Sequence, residues 1–286
     1  MSDLTLERSS QTGDLSNAAL FSIRKLSVSY PDYAHKPLLR VAPRIEILKG
    51  VSFDLKAGCI TGLVGESGSG KTTLGRALVR LLKPDSGEIL YNSVNIAQMD
   101  QRDLRPIRRD LQMIFQDPMS SLNPRHPVWK IIALPMRRYG LGGTRKDALE
   151  ALEHVKLGAA FADRYPHELS GGQRQRVGIA RAIAVKPKFI LADEIVSGLD
   201  VSSQAKVLML LQELKREMNL TVAFISHDLS VIRHLCDDLV VLNHGEIVDM
   251  GPVHNVFDQP SSQVTKRLIK AIPLPRIDES WFDEIV

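Results

Sequence analysis

Three short stretches of this chain carry residue types and spacings suited to phosphate chemistry. Gly65, Glu66, Ser67, Gly68, Ser69, Gly70, Lys71 and Thr72 follow the pattern GxxxxGK[ST], and Thr73 joins them as a candidate nucleotide contact. Glycines let backbone N–H groups curl around phosphate oxygens, a helix N-terminus adds partial positive charge, Lys71 reaches the terminal phosphates and the Thr72 hydroxyl ligates Mg²⁺. A chance match in a chain of this length has a probability on the order of 10⁻². The context strengthens it: the apolar run Ile60–Val64 reads as a strand before it and Leu74–Leu82 as a helix after it. Further on, Leu169-Ser170-Gly171-Gly172-Gln173 again has glycines opening a helix, Arg174–Val185, which ends at Pro187. It offers an anion a hydroxyl, bare N–H groups and a helix dipole. Such a pentapeptide arises by chance in about 3 × 10⁻⁴ of chains this size. Third, Phe189-Ile190-Leu191-Ala192 leads into two adjacent acids, Asp193 and Glu194. This is the form of a Walker B motif, in which Asp193 holds Mg²⁺ through water. Because neighbours on a strand point to opposite faces, the two carboxylates need not share a role.

The elements that must position these groups show in the hydrophobic pattern. Ile60–Val64, Leu111–Phe115, Phe189–Ala192 and Val222–Ile225 read as buried strands, alternating with helical patterns as in a parallel α/β sheet. Each is followed by a polar or glycine-rich turn, where ligands collect at the carboxyl ends of such strands. Phe21–Tyr30 and Ile45–Leu55 read as strands of a small antiparallel sheet, joined by a loop holding Pro31, Pro37 and Pro43. Asn243-His244-Gly245 reads as a hairpin turn into a strand Glu246–Met250. From Asp117 to Tyr165 the pattern becomes helical, broken by Pro and Gly, which reads as an inserted subdomain at about 117–168. The expected division is a disordered tail over 1–20, a nucleotide-binding domain over 21–255 and a C-terminal tail over 256–286 with a short helical pattern at Val264–Ile272.

Composition excludes several classes. Apolar residues make up 44% and charged residues 24% of the 286 residues, as in ordinary globular proteins, and a net charge of +4 is too small for a nucleic-acid footprint. No run of 18 apolar residues occurs, so no membrane span is expected, and the polar start lacks the apolar segment of a signal peptide. A cytoplasmic location follows as the expectation. Cys59 and Cys236 each lie in an apolar run and read as buried thiols.

Over Phe21–Gly251 the chain resembles the nucleotide-binding subunits of ABC transporters. That resemblance implies a P-loop ATPase core of α/β class with an antiparallel β subdomain and an inserted helical subdomain, using ATP and Mg²⁺. It implies that Ser170–Gln173 completes the ATP site of a partner subunit in a head-to-tail dimer, and that Glu194 is the general base for the attacking water. Gln116 resembles the glutamine that touches Mg²⁺ and the lytic water, and His227 the switch histidine at the γ-phosphate. Ser197-Gly198-Leu199-Asp200 resembles the loop that couples the two sites, which brings Asp200 into the nucleotide set. Tyr30 is the candidate for stacking on adenine, with Tyr33 as an alternative. Arg174, Arg176 and Arg181 read as a solvated or ion-paired helix face. Two departures stand out: Ile195-Val196 replace the usual Pro-Thr after the base, and Gly198 replaces a common Ala.

Within the family, QMIFQDPMSSLNPR (Gln112–Arg125), RYPHELSGGQRQRVGIARA (Arg164–Ala182) and Thr265–Pro273 resemble the peptide and nickel importer branch, although Ser262-Gln263-Val264 replaces its His-Pro-Tyr. The branch implies a second ATPase subunit, identical or related, two membrane permeases and an extracytoplasmic solute-binding protein, with this chain peripheral on the cytoplasmic face of the cell membrane. A chromosome-maintenance ATPase would need a long heptad insertion, and a translation-associated relative two cassettes. A P-loop kinase or GTPase lacks the second glycine motif, and a non-catalytic module has no use for Glu194, His227 and Gln116.

Overall fold

A computed structural model of the chain describes residues 18–32 and 42–272. Most of the expected N-terminal tail, Pro37, Tyr33 and the stretch from Pro273 onward lie outside the described residues. In chain order the first elements are β1 (Ala19–Pro31), β2 (Arg44–Lys56), β3 (Ile60–Gly65), α1 (Lys71–Leu78), β4 (Ser86–Tyr91), β5 (Val94–Asn95), α2 (Gln101–Asp110) and β6 (Leu111–Ile114). The helical insertion follows as α3 (Pro118–Ser121), α4 (Val128–Arg138), α5 (Arg145–His154), two 3₁₀ turns and α6 (Gly171–Ile183). The chain continues through β7 (Phe189–Asp193), α7 (Val201–Met218), β8 (Thr221–Ile225), α8 (Leu229–Leu235), β9 (Asp238–Asn243), β10 (Glu246–Pro252), α9 (Val253–Asp258) and α10 (Gln263–Lys270).

Six strands form the central sheet in the order β10-β9-β3-β8-β7-β6, parallel except for β10, which returns antiparallel to β9. Every residue of β7 and β8 is buried. Both faces of these strands are covered, which is why they read as unbroken apolar runs instead of alternating ones. The two-residue period then divides them between two cores. Ile190, Ala192, Val222 and Phe224 join the core shared with the helical insertion, α7 and α8. Phe189, Leu191, Ala223 and Ile225 join the core beneath α1 and the antiparallel sheet, whose order is β2-β1-β4-β5. Helix α1 can lie close on this second face because it carries Gly75, where a Cβ would stand 2.7 Å from Leu191 Cδ1.

Three readings change. The expected boundary at residue 20 falls inside β1, whose Leu20 is buried, and the boundary at 255 falls inside α9, whose Val256 and Phe257 are buried. Residues 256–272 are therefore packed: Thr265 is buried, and Leu268, Ile269 and Ile272 lie against the core. The arginines of α6 also take a different role. Arg174 donates to the Leu169 carbonyl, Arg176 to that of Lys156 and Arg181 to that of Ser121. Instead of forming a solvated or ion-paired face, they tie α6 to backbone carbonyls before it in the chain.

Candidate functional site

The stretch from Gly65 to Thr73 forms a tight loop between β3 and α1, and its glycines are required by contact and conformation. Gly65 has φ +149°, and a Cβ there would meet the Leu242 carbonyl oxygen at 2.1 Å. Gly70, with φ +107°, is the N-cap of α1 and provides no side-chain cap, so the first-turn amides of the helix face outward for an anion. The Ser69 amide bonds the Glu66 carbonyl, and the Ser69 carbonyl accepts from the Gly245 amide in the β9–β10 turn. That hairpin therefore clamps the loop from the side. Lys71 folds back over it, its Nζ 2.8 Å from both the Gly65 and Glu66 carbonyl oxygens. Burial pulls the Lys71 pKa down, while Glu194 and Asp193 work the other way and favour its charge.

Asp193 keeps the odd parity of Phe189 and Leu191 and so faces α1, where the Thr72 hydroxyl hydrogen-bonds to it. Burial, followed by the neighbouring Glu194, raises its carboxyl above the usual carboxylate range; Arg76, Thr72 and Lys71 partly offset this. Glu194 leaves the strand with φ +48°, a conformation uncommon for a residue with a side chain, and its amide is held by the Ile225 carbonyl at 3.0 Å. The turn is anchored from below by Ile195 and Val196, 1% and 3% exposed. The departure from Pro-Thr thus substitutes apolar burial for backbone stiffness. Gln116 Nε2 donates to Glu194 Oε2 at 2.7 Å, and His227 Nδ1 lies 3.9 Å from Glu194 Oε1. Three side chains from the ends of β6, β7 and β8, distant in sequence, thereby meet at one carboxylate.

Lys71, Thr72, Glu194 and His227 border a cleft of about 490 Å³ lined also by Tyr30, Ile47, Gly65, Ser67, Gly68, Gly70 and Thr73; Glu66, Ser69, Gln116 and Asp193 are not among its lining residues. Its size is that of a small-molecule site. Tyr30, near the end of β1, and Ile47 of β2 are the large apolar side chains of the lining. Ile47 was not singled out in the sequence; it reaches the cleft because β2 runs beside β1, with Tyr30 opposite Ile45, a register that a single strand pattern does not reveal. The donor set fits a hard divalent cation: the Thr72 hydroxyl, the Asp193 carboxylate and the Gln116 amide oxygen are all oxygen ligands. Among the described residues no group of three or more His, Cys, Asp or Glu side chains is arranged for a metal.

The second glycine motif does not join this cleft. Ser170 caps α6, its Oγ accepting from the Gln173 amide at 3.3 Å while Gln173 Oε1 accepts from the Ser170 amide at 2.9 Å. Gly171 and Gly172 lie against Leu199 and Ser203, where a Cβ would stand 3.3 and 3.1 Å away. Asp200 caps α7 through the Ser203 amide, and hydrogen bonds from the Ser203 hydroxyl and then from that amide lower its pKa. Ser170, Gly171, Gly172, Gln173 and Asp200 are absent from the lining of the cleft.

The ABC transporter family model matches residues 48–197. The oligopeptide transport ATP-binding protein OppF of Bacillus subtilis is 46% identical over 245 residues, covering 83% of this chain and 80% of that protein. A peptide import ATP-binding protein of Brucella ovis is 46% identical over 238 residues, 82% of this chain and 75% of its own. Among solved structures, the dimeric bacterial ABC transporter cassette MJ0796 superposes with a TM-score of 0.71 at 32% identity, covering 82% of this chain and 98% of that one. The same cassette is known as a dimer bound to ADP and Pi. The family match, the identity to full-length relatives and the cleft built at the strand ends lead to one conclusion: the chain belongs to the ABC transporter family and is one of its ATP-hydrolysing cassettes.

Proposed function

We propose that this cassette powers an importer for peptides, pairing with a second cassette beneath two membrane permeases supplied by an extracytoplasmic solute-binding protein. The observation that carries the motor role is the meeting of Gln116, Glu194 and His227 beside the phosphate loop. Tyr30 and Ile47 hold the base, the loop amides and Lys71 hold the phosphates, and Glu194 accepts the proton of the attacking water. Gln116 and His227 fix the orientation of that carboxylate. Mg²⁺, when bound among Thr72, Asp193 and Gln116, neutralises charge on the phosphates. The α6 N-terminus at Ser170–Gln173 serves the nucleotide of the partner cassette, and Asp200 lies on the path that couples the two sites.

Peptides are assigned as solute from the names of the 46% identical relatives. No helix among the described residues is long and apolar enough to cross a membrane, which supports a peripheral place on the cytoplasmic face. The insertion, entered directly after Gln116, is assigned to the permease contact, so that the state of the cleft moves the surface that the permease touches. The test is to assemble the complex with permeases and binding protein in lipid and measure its ATPase. Stimulation by peptides is expected; stimulation by nickel alone would replace the solute, and full activity as a monomer would overturn the assembly.

A further inference from the structure

Between the start of α8 and helix α10 lies a cleft of about 420 Å³ whose apolar wall is Leu229, Leu268, Ala271 and Ile272. The last turn of α10 adds two exposed cations, Arg267 and Lys270. Arg267 stands one helical turn before Ala271 and so shares the face that lines the cleft. The one acid of the lining, Asp228, is turned to the amides of Ser230 and Val231. The wall itself is firmly seated: Asp249 Oδ2 accepts from the Ser261 and Ser262 amides at 2.9 and 3.3 Å, and Thr265 is buried.

The segment that leaves this wall has the complementary chemistry. Residues 273–286, which lie outside the described residues, read PLPRIDESWFDEIV. Asp278, Glu279, Asp283 and Glu284 stand against the single cation Arg276, and they flank the aromatic pair Trp281-Phe282. Aromatic side chains carry the largest apolar area of any residue. Trp281 is nine residues beyond Ile272, a reach of up to roughly 30 Å when extended, so a return to the cleft is well within the chain's length. A tether this short gives an effective concentration of about millimolar, which populates even a weak contact. The cleft beside α9 suits the segment less, since its lining holds Asp237 and Asp258.

We propose that the cleft between α8 and α10 is the docking site of this chain's own acidic segment, with Trp281-Phe282 against the aliphatic wall and the flanking acids against Arg267 and Lys270. His227 lines both this cleft and the nucleotide cleft. A docked segment therefore stands against the histidine of the ATPase centre and slows turnover until it is released. This consequence rests on the ATPase reading of His227; the docking itself does not.

The test uses the 286-residue chain and its two tryptophans, Trp129 and Trp281. Subtracting the emission of a Trp281→Phe chain isolates Trp281, whose wavelength and acrylamide quenching are then followed, with steady-state ATPase measured alongside. Expected is a blue-shifted, protected Trp281 at every chain concentration. Arg267→Glu with Lys270→Glu should lower the ratio of docked to free segment by about tenfold, since two exposed ion pairs become like-charge contacts. Adding Asp283→Lys and Glu284→Lys to that chain should restore protection, which separates docking from a folding defect, and ATPase should rise and fall inversely with protection. A Trp281 quenched as readily as free tryptophan amide would overturn the docking. Protection that grows with chain concentration would give the cleft to the segment of a second copy and overturn docking within one chain. Protection that ignores the charge reversal, or is lost without being regained in the swapped chain, would overturn this cleft. Release of Trp281 with unchanged turnover would overturn the restraint on His227 alone, and absence of ATPase activity from every chain would overturn the ATPase reading while leaving the docking.

Discussion

Replacing Glu194 with Gln removes one proton acceptor and almost nothing else. The side chain keeps its length, and its remaining carbonyl oxygen can accept the Gln116 Nε2 hydrogen bond now made at 2.7 Å. The backbone turn at φ +48° is held by the Ile225 carbonyl and by the burial of Ile195 and Val196, none of which changes. Nucleotide affinity should therefore stay near wild type. Turnover should fall by about 10²–10⁴, the usual contribution of a general base, equivalent to roughly 3–5 kcal/mol on the barrier. Glu194→Asp provides the contrast. It keeps the basicity but retracts the carboxylate by about one methylene, far enough to break the contact with Gln116, so a loss of about 10²-fold through misplacement is expected. The assay is single-turnover phosphate release from the purified chain, with nucleotide affinity titrated separately. Turnover in Glu194→Gln above about a tenth of wild type, with binding intact, would refute the assignment of the base.

Other expectations concern stability and coupling. Asp193 titrates above the unfolded carboxylate value of 3.8 because burial and Glu194 disfavour its charge, so the folded state binds that proton more tightly. Stability accordingly falls as pH rises from the unfolded value through the raised one. Asp193→Asn should raise the Tm of the nucleotide-free chain at pH 7 by about 2–4 °C, for a gain on the order of 1 kcal/mol, and the difference should close on acidification; a lowered Tm in a thermal melt would contradict this. Gly245→Ala would force a Cβ to within 2.3 Å of the Ile47 carbonyl oxygen at φ +85°. A destabilisation of about 1–3 kcal/mol in urea unfolding should come with weaker ATP binding, since Gly245 also holds Ser69. Arg181→Met should cost about 1–3 kcal/mol by releasing the Ser121 carbonyl, leaving ATP binding unchanged and weakening permease-coupled activity in the assembled complex.

The parallel core and the phosphate loop were legible in the sequence because they depend on local constraints. A strand buried on both faces has to be an apolar run, and a backbone that wraps phosphate has to be glycine where φ is positive, as at Gly65, Gly68 and Gly70. The positions of Asp193 and Glu194 followed from the strand that ends in them, and its alternation was enough to separate their directions. Other features depended on groups far apart in the chain. Ile47 reaches the cleft only through its register beside β1. The arginines of α6 found backbone carbonyls that no helical periodicity announces. Residues 256–272 looked like a tail, since their apolar side chains are few and spaced by polar ones, yet Val256, Phe257 and Thr265 are buried by surfaces that exist only once β10 and α8 are in place. Order and spacing could name Gln116 and His227 as candidates, but only parallel pairing of β6 with β7 and β7 with β8 brings both side chains to the carboxylate of Glu194, because adjacent parallel strands end side by side at the same edge of the sheet.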